Sequence, residues 1–267
     1  MNVGFIGGGN MAFAILSGGL SAGVLLPEST IVSDPSADRR RVIESLGVSV
    51  VEDNAAVCAR SDIIFLCVKP QQLNDVLLPI TSAFNPARHS LASILAGVPT
   101  RRLEALLPDG LPVIRVMPNT PMLIGKGVSG VCAGRYASPE HFESIVWILK
   151  TCSQVLTVDE SMMDAVTAVS GSGPAYLFYI AEALIDGAKS VGFDNATANA
   201  LVRGVLSGAS ELLASSDKSA AELRAMVTSK GGTTAAAAAV LDAADVRASF
   251  VRAVKAARDR SAELGKG

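Results

Sequence analysis

The chain has 267 residues, of which 49% are hydrophobic, 18% charged and 4% aromatic, with a formal net charge of −2. That length admits two modest domains or one large one, and the near-neutral balance argues against nucleic acid or an anionic membrane as a partner. Cys58, Cys67, Cys132 and Cys152 form no CxxC pair and no His/Cys cluster with metal-ligand spacing, so no metal is expected and the thiols read as reduced ones in a cytoplasmic protein. The first charged residue is Glu28, yet no basic segment precedes the apolar start and Gly7-Gly8-Gly9 interrupts it, so neither a signal peptide nor a membrane span is expected.

The short apolar run at 3–6 reads as a buried parallel strand. Gly7, Gly9 and Ala12 then give G-x-G-x-x-A, and a helix is expected over 10–22. Each small residue has a mechanical reason: Gly7 permits the tight turn, Gly9 lets the backbone approach a pyrophosphate, and Ala12 keeps the helix close to the strand. The helix start supplies unpaired N–H groups and partial positive charge. Strand, fingerprint and helix in that order point to dinucleotide binding.

A second strand at 30–33 ends in SDPSADRRR. Asp34 stands about twenty positions past the fingerprint, where an acidic residue bonds the ribose 2′-hydroxyl of NAD. Ser33, Ser36, Arg39 and Arg40 are equally suited to a 2′-phosphate, so NADH and NADPH both stay open at this point. Further strands are expected at 63–68, ending in Lys69-Pro70, at 90–97, ending in Ala96-Gly97, and at 112–121, ending in Pro118-Asn119-Thr120-Pro121. These carboxyl ends face the ligand crevice of an α/β sheet. With a strand pair at 127–133 and 154–158, the pattern is a doubly wound parallel sheet of Rossmann type over 1–158.

After residue 158 the strand signals stop, and 159–267 reads as an all-α domain. A long helix follows SGSGPAY, with Pro174 in its first turn; further helices are expected over 195–214 and 246–264. The first two are apolar around most of their circumference. A domain of this size has too little interior to hide them, so a homodimer through these helices is expected, with a compact monomeric bundle as the alternative.

The stretch VTSKGGTTAAAAAVL at 227–241 places a polar, glycine-bearing loop before an alanine-rich helix. Gly231 and Gly232 can form a concave backbone nest for an anion in front of the unpaired N–H groups of that helix. Thr233 and Thr234 are then available either to cap the helix or to touch a ligand.

GFIGGGNM, VKP with MPNTP, SGSGPAY and SKGGTT, in this order over the whole chain, resemble the pyrroline-5-carboxylate reductases. The resemblance implies an N-terminal Rossmann domain, a C-terminal helical domain that interlocks with a second subunit or builds a higher homo-oligomer, and hydride transfer from NAD(P)H to a cyclic imine, giving proline. It implies NADPH as the usual cofactor, with NADH possible. By motif match, Ser229, Gly231, Gly232, Thr233 and Thr234 bind the substrate, and Thr234 is the candidate donor to the imine nitrogen. Cofactor contacts carry over to Gly8, Asn10, Met11, Asp34, Asn54, Val68, Lys69, Pro70, Ala96 and Gly97, beside Gly7, Gly9, Ser33 and Asn119 from the strand ends. Two positions depart from the family: Lys230 stands where proline is frequent, and Asp34 where a small hydroxyl residue is frequent. Two other classes compete. A β-hydroxyacid-type dehydrogenase needs a lysine four residues past Gly173, where this chain has Leu177; a non-catalytic dinucleotide-binding scaffold does not need the GGTT loop.

Overall fold

A computed structural model describes residues 1–265. Eight strands form one sheet: β1 (Val3–Ile6), β2 (Thr30–Ser33), β3 (Ser49–Val51), β4 (Ile63–Leu66), β5 (Ser90–Ser93), β6 (Val113–Met117), β7 (Gly127–Ala133) and β8 (Ser153–Thr157). Their order is β3-β2-β1-β4-β5-β6-β7-β8. All neighbours run parallel except β6 and β7, so the last two strands reverse the direction of the sheet. The order reverses at β1, which puts the first βα turn at the switch point where such sheets bind ligands.

The helices α1 (Asn10–Ser21), α2 (Ala37–Glu44), α3 (Asn54–Arg60), α4 (Leu73–Leu77), α5 (Thr100–Glu104), α6 (Pro139–Leu149) and α7 (Met163–Val166) accompany these strands. Alternate strand residues face opposite sides, so Phe5 and Phe65 enter one core cluster with α1 and α6 while Ile6 and Leu66 enter another with α3 and α4. Phe5 and Phe65 are register partners on β1 and β4, and their rings stack with centroids 4.9 Å apart.

The remaining helices are α8 (Gly173–Ser190), α9 (Asn195–Ser215), α10 (Ala220–Met226), α11 (Thr233–Ala243) and α12 (Val246–Leu264). Packing divides the chain into a sheet unit, Met1–Pro174 with the chain end from Ala257, and a helical unit, Ala175–Ala256. Among the described residues, no helix is long and apolar enough to cross a membrane.

The expected strands are recovered, with β7 antiparallel to β6 in a sheet expected to be parallel and with two further differences. Sequence reading gave no strand at 49–51, because Ser49-Val50-Val51 is only three residues long and half-buried, too short for a period to register. The runs at 63–68, 90–97 and 112–121 end sooner as strands, since their last residues turn over the sheet edge. Those turns build the site.

Candidate active site

Gly7 leaves β1 at φ +98, a conformation that L side chains avoid. Its N–H donates to the Ser33 carbonyl at 2.8 Å, and a Cβ here would come within 2.7 Å of the Cys67 carbonyl oxygen. Chain crossing on both sides therefore excludes any other residue. Gly9 caps α1 with extended backbone, and a Cβ there would meet nothing within 4 Å. Steric necessity at Gly7 and open space at Gly9 are what a turn followed by a close ligand approach requires. Among the described residues, no side chain caps α1 and none in its first turn is acidic, so the helix N-terminus is left for an anion.

A cavity of about 320 Å³ lies before this turn. Of the expected cofactor residues it brings together Gly7, Gly9, Asp34, Asn54, Val68 and Lys69. Gly8 lies behind it, with its N–H donated to Asp34 Oδ2 at 2.8 Å and its carbonyl accepting from Arg39 Nε at 2.9 Å and Nη2 at 2.6 Å. Ser33 is fully buried; its hydroxyl donates to Asn54 Oδ1 at 2.7 Å and so orients a residue that lines the cavity. Asn10 and Met11 open α1, Asn10 exposed and Met11 half-exposed, and Pro70 begins the 3₁₀ turn after Lys69.

Three expected residues stand apart from that cavity. Ala96 follows β5, and Gly97, at φ +74, lines a second cavity of about 380 Å³ together with Arg115, Glu160 and Asp164. A Cβ on Gly97 would meet Leu264 Cβ at 3.0 Å and the Ser261 carbonyl at 3.1 Å, so the end of α12 fits against this turn. Asn119 is 8% exposed, and its amide is engaged at both ends: Nδ2 donates to the Ser170 carbonyl at 3.1 Å and Oδ1 accepts from Val128 N–H at 2.8 Å. Ser170 lies in a π-turn over Thr167–Gly171, a local over-wide turn that reaches into the SGSGP stretch.

Sequence reasoning missed Pro35, Glu52, Cys67, Gln72 and Val76, which also line the first cavity. Glu52 follows the strand that was too short to recognise, and it pairs with Arg40. Gln72 had a usable signal: three residues after Lys69, its Oε1 accepts the Lys69 N–H at 3.2 Å in a capping box. Burial pushes the Cys67 thiol well above the ordinary range, so this sulfur stays protonated beside the cavity.

In the helical unit, Gly231 adopts φ +74, Gly232 donates its N–H to the Ser229 carbonyl at 3.0 Å, and α11 starts at Thr233. A Cβ on Gly232 would come within 2.4 Å of Ser229 Oγ, so the serine side chain folds over this glycine. Gly232 itself is the N-cap, and among the described residues no side chain caps the helix. Neither Thr233 nor Thr234 caps α11. Both are exposed, and the amides of Thr233, Thr234 and Ala235 lack partners inside the helix. His89 and His141 serve structure: Nδ1 of each accepts a backbone N–H, from Asn85 and from Ser138.

Residues 160–264 match the family model described as pyrroline-5-carboxylate reductase dimerisation. A second model, described as NADP oxidoreductase, coenzyme F420-dependent, matches residues 2–97. The pyrroline-5-carboxylate reductase of Corynebacterium melassecola is 42% identical over 264 residues, covering 98% of this chain and 97% of its own. The chain belongs to the pyrroline-5-carboxylate reductase family. Among solved members, the Coxiella burnetii reductase superposes with a TM-score of 0.91 at 33% identity, covering 100% of this chain and 99% of its own. A Plasmodium falciparum pyrroline carboxylate reductase, solved with NADP bound, gives 0.89 at 28% identity, covering 99% and 98%. As a pyrroline-5-carboxylate reductase, the chain reduces 1-pyrroline-5-carboxylate to L-proline with hydride from NAD(P)H, the last step of proline biosynthesis.

Proposed function

We propose that the two halves divide this reduction, with residues 1–158 holding the dinucleotide at the Gly7 cavity and residues 159–267 holding the imine at the Ser229–Thr234 loop. Gly7 and Gly9 shape the cradle, the start of α1 faces the pyrophosphate, and Asp34, Asn54 and Lys69 line the remainder. The bound nicotinamide supplies the hydride. The Gly231–Gly232 nest and the open amides of α11 receive the substrate carboxylate, with Ser229 and Thr233 beside them.

Thr234 donates its hydroxyl hydrogen bond to the ring nitrogen. As hydride adds to the imine carbon, the C=N π electrons move onto that nitrogen. An imine bound in its protonated form becomes a neutral amine directly; an unprotonated one must also gain a proton at nitrogen, so the protonated form is the one a hydrogen bond from Thr234 serves. The protonated imine therefore asks the site for no proton at the moment of hydride transfer, whereas a ketone would need one at its developing alkoxide, which suits a loop without histidine. One observation carries this reading: α11 begins with open amides and two exposed threonine hydroxyls behind a left-handed glycine, with no acidic residue in its first turn among the described residues.

The molecule works as a homodimer joined through residues 160–264, the segment matched by the dimerisation model. We place it in the cytoplasm, where the unpaired Cys58, Cys67, Cys132 and Cys152 stay reduced. Thr234→Val tests the mechanism. With the side chain exposed, stability should hold, while kcat falls on the order of 100-fold or more if the hydroxyl acts in the transition state. An unchanged kcat removes Thr234 from the chemistry.

A further inference from the structure

The Asp34 carboxylate is fixed in place by two backbone donors. Oδ2 accepts the Gly8 N–H and Oδ1 the Ser36 N–H, both at 2.8 Å. One donor belongs to the glycine turn and the other to the residue that caps α2. The carboxylate therefore cannot swing away without leaving the buried Gly8 amide short of a partner. It lines the cavity where the end of β2 meets the glycine turn, the place at which such sheets read the adenosine ribose.

The cations nearest in sequence are engaged elsewhere. Arg39 spends Nε and Nη2 on the Gly8 carbonyl. Arg40 donates Nη1 to the carbonyls of Asp34 and Pro35, at 2.9 and 3.0 Å, and pairs with Glu52. Glu52 adds a second carboxylate to the lining of the same cavity. A ribose diol can donate to the fixed Asp34 oxygens, whereas a 2′-phosphate would meet the negative charges of Asp34 and Glu52, with Lys69 as the cation in the same lining.

We propose that Asp34 sets the cofactor choice of this reductase, so that NADH binds at least as tightly as NADPH. The inference rests on the assignment of the Gly7 cavity to the dinucleotide. Asp34→Ser removes the charge and leaves a hydroxyl able to serve a phosphate; Asp34→Asn keeps the shape and an acceptor for Gly8 while removing the charge.

The test is calorimetric titration of the full-length protein with ADP-ribose and 2′-phospho-ADP-ribose, which lack the reactive ring and report binding alone. Wild type should bind ADP-ribose equally or more tightly. Each variant should shift the ratio of the two dissociation constants toward the phosphorylated ligand by about tenfold or more, the size of one charge removed at close range near a surface. Wild type preferring the phosphorylated ligand tenfold, or both variants leaving the ratio unchanged, overturns the role of Asp34. Wild type binding neither ligand overturns the cavity assignment as well. If Asp34→Ser fails to fold, the wild-type ratio and Asp34→Asn decide.

Discussion

The sheet unit and the helical unit bury their apolar residues in different ways. In the sheet unit, Phe5, Ile6, Phe65 and Leu66 have no exposed surface, and the two faces of the sheet carry separate closed clusters. In the helical unit, Phe178 is 64% exposed, Val205 61% and Leu212 56%, and among the described residues of α8 to α11 only Ala198 and Val202 are buried. Full burial of such side chains contributes about 1.5–3 kcal/mol each, most of which the helical unit forgoes as a single copy. The sheet unit is therefore stabilised from within, and the smaller helical unit by a second chain.

The largest effect should come from breaking that second stabilisation. Phe178→Asp combined with Val205→Lys places charge on the open faces of α8 and α9. Light scattering should show a monomer without reductase activity that still binds dinucleotide, because the sheet unit keeps its own core. A dimer of unchanged mass would mean that these faces are not the ones covered.

Glycine substitutions sharpen the contrast. Gly7→Ala forces left-handed backbone and drives Cβ into the Cys67 carbonyl, at a combined cost of roughly 3 kcal/mol by denaturant unfolding. At Gly231 a Cβ would meet nothing within 4 Å, so Gly231→Ala should cost only the strain of its φ, about 1 kcal/mol. Equal losses would show that the two turns are equally enclosed.

A smaller effect tests the sheet unit from its charged side. The side chain of Arg115 on β6 is 4% exposed; its Nη1 donates to Glu160 Oε1 at 2.5 Å, and Nη2 lies 3.6 Å from Asp164 Oδ1. Asp164 accepts in turn from Ser261 Oγ at 2.7 Å. Burial alone would raise the Glu160 carboxyl, but hydrogen bonds from Arg115 and the Thr100 N–H, with the Arg115 charge, hold it below its usual value. Glu160→Ala should cost roughly 2 kcal/mol, less than a fully buried pair because Glu160 is partly solvated. The folded pKa is depressed, so this stability is present above the ordinary carboxylate range and is lost as pH falls through the folded value. Wild type should therefore lose stability in acid more steeply than Glu160→Ala; parallel curves would remove Glu160 from the balance. The same pair bears on the proposed division at residue 158, since a fragment ending there leaves Arg115 with neither carboxylate.

Local order was legible in the sequence wherever one short stretch carries its own physical reason. The fingerprint at Gly7, Gly9 and Ala12, the strand ends at Ser33-Asp34 and Lys69, and the glycine nest before Thr233 each follow from backbone freedom and helix-end hydrogen bonding. The apolar circumference of α8 and α9 likewise announced that something must cover them. Tertiary structure alone decided what depends on residues far apart in the chain. Sequence could not say what holds the Asp34 side chain; its carboxylate accepts from the Gly8 amide 26 positions away. Asn119 is engaged by Ser170 and Val128, Gly97 is met by Ser261 and Leu264, and β7 turns against the sheet beside β6. Periodicity reports which face a residue turns inward, but not which partner meets it there, because that choice is made by packing between elements.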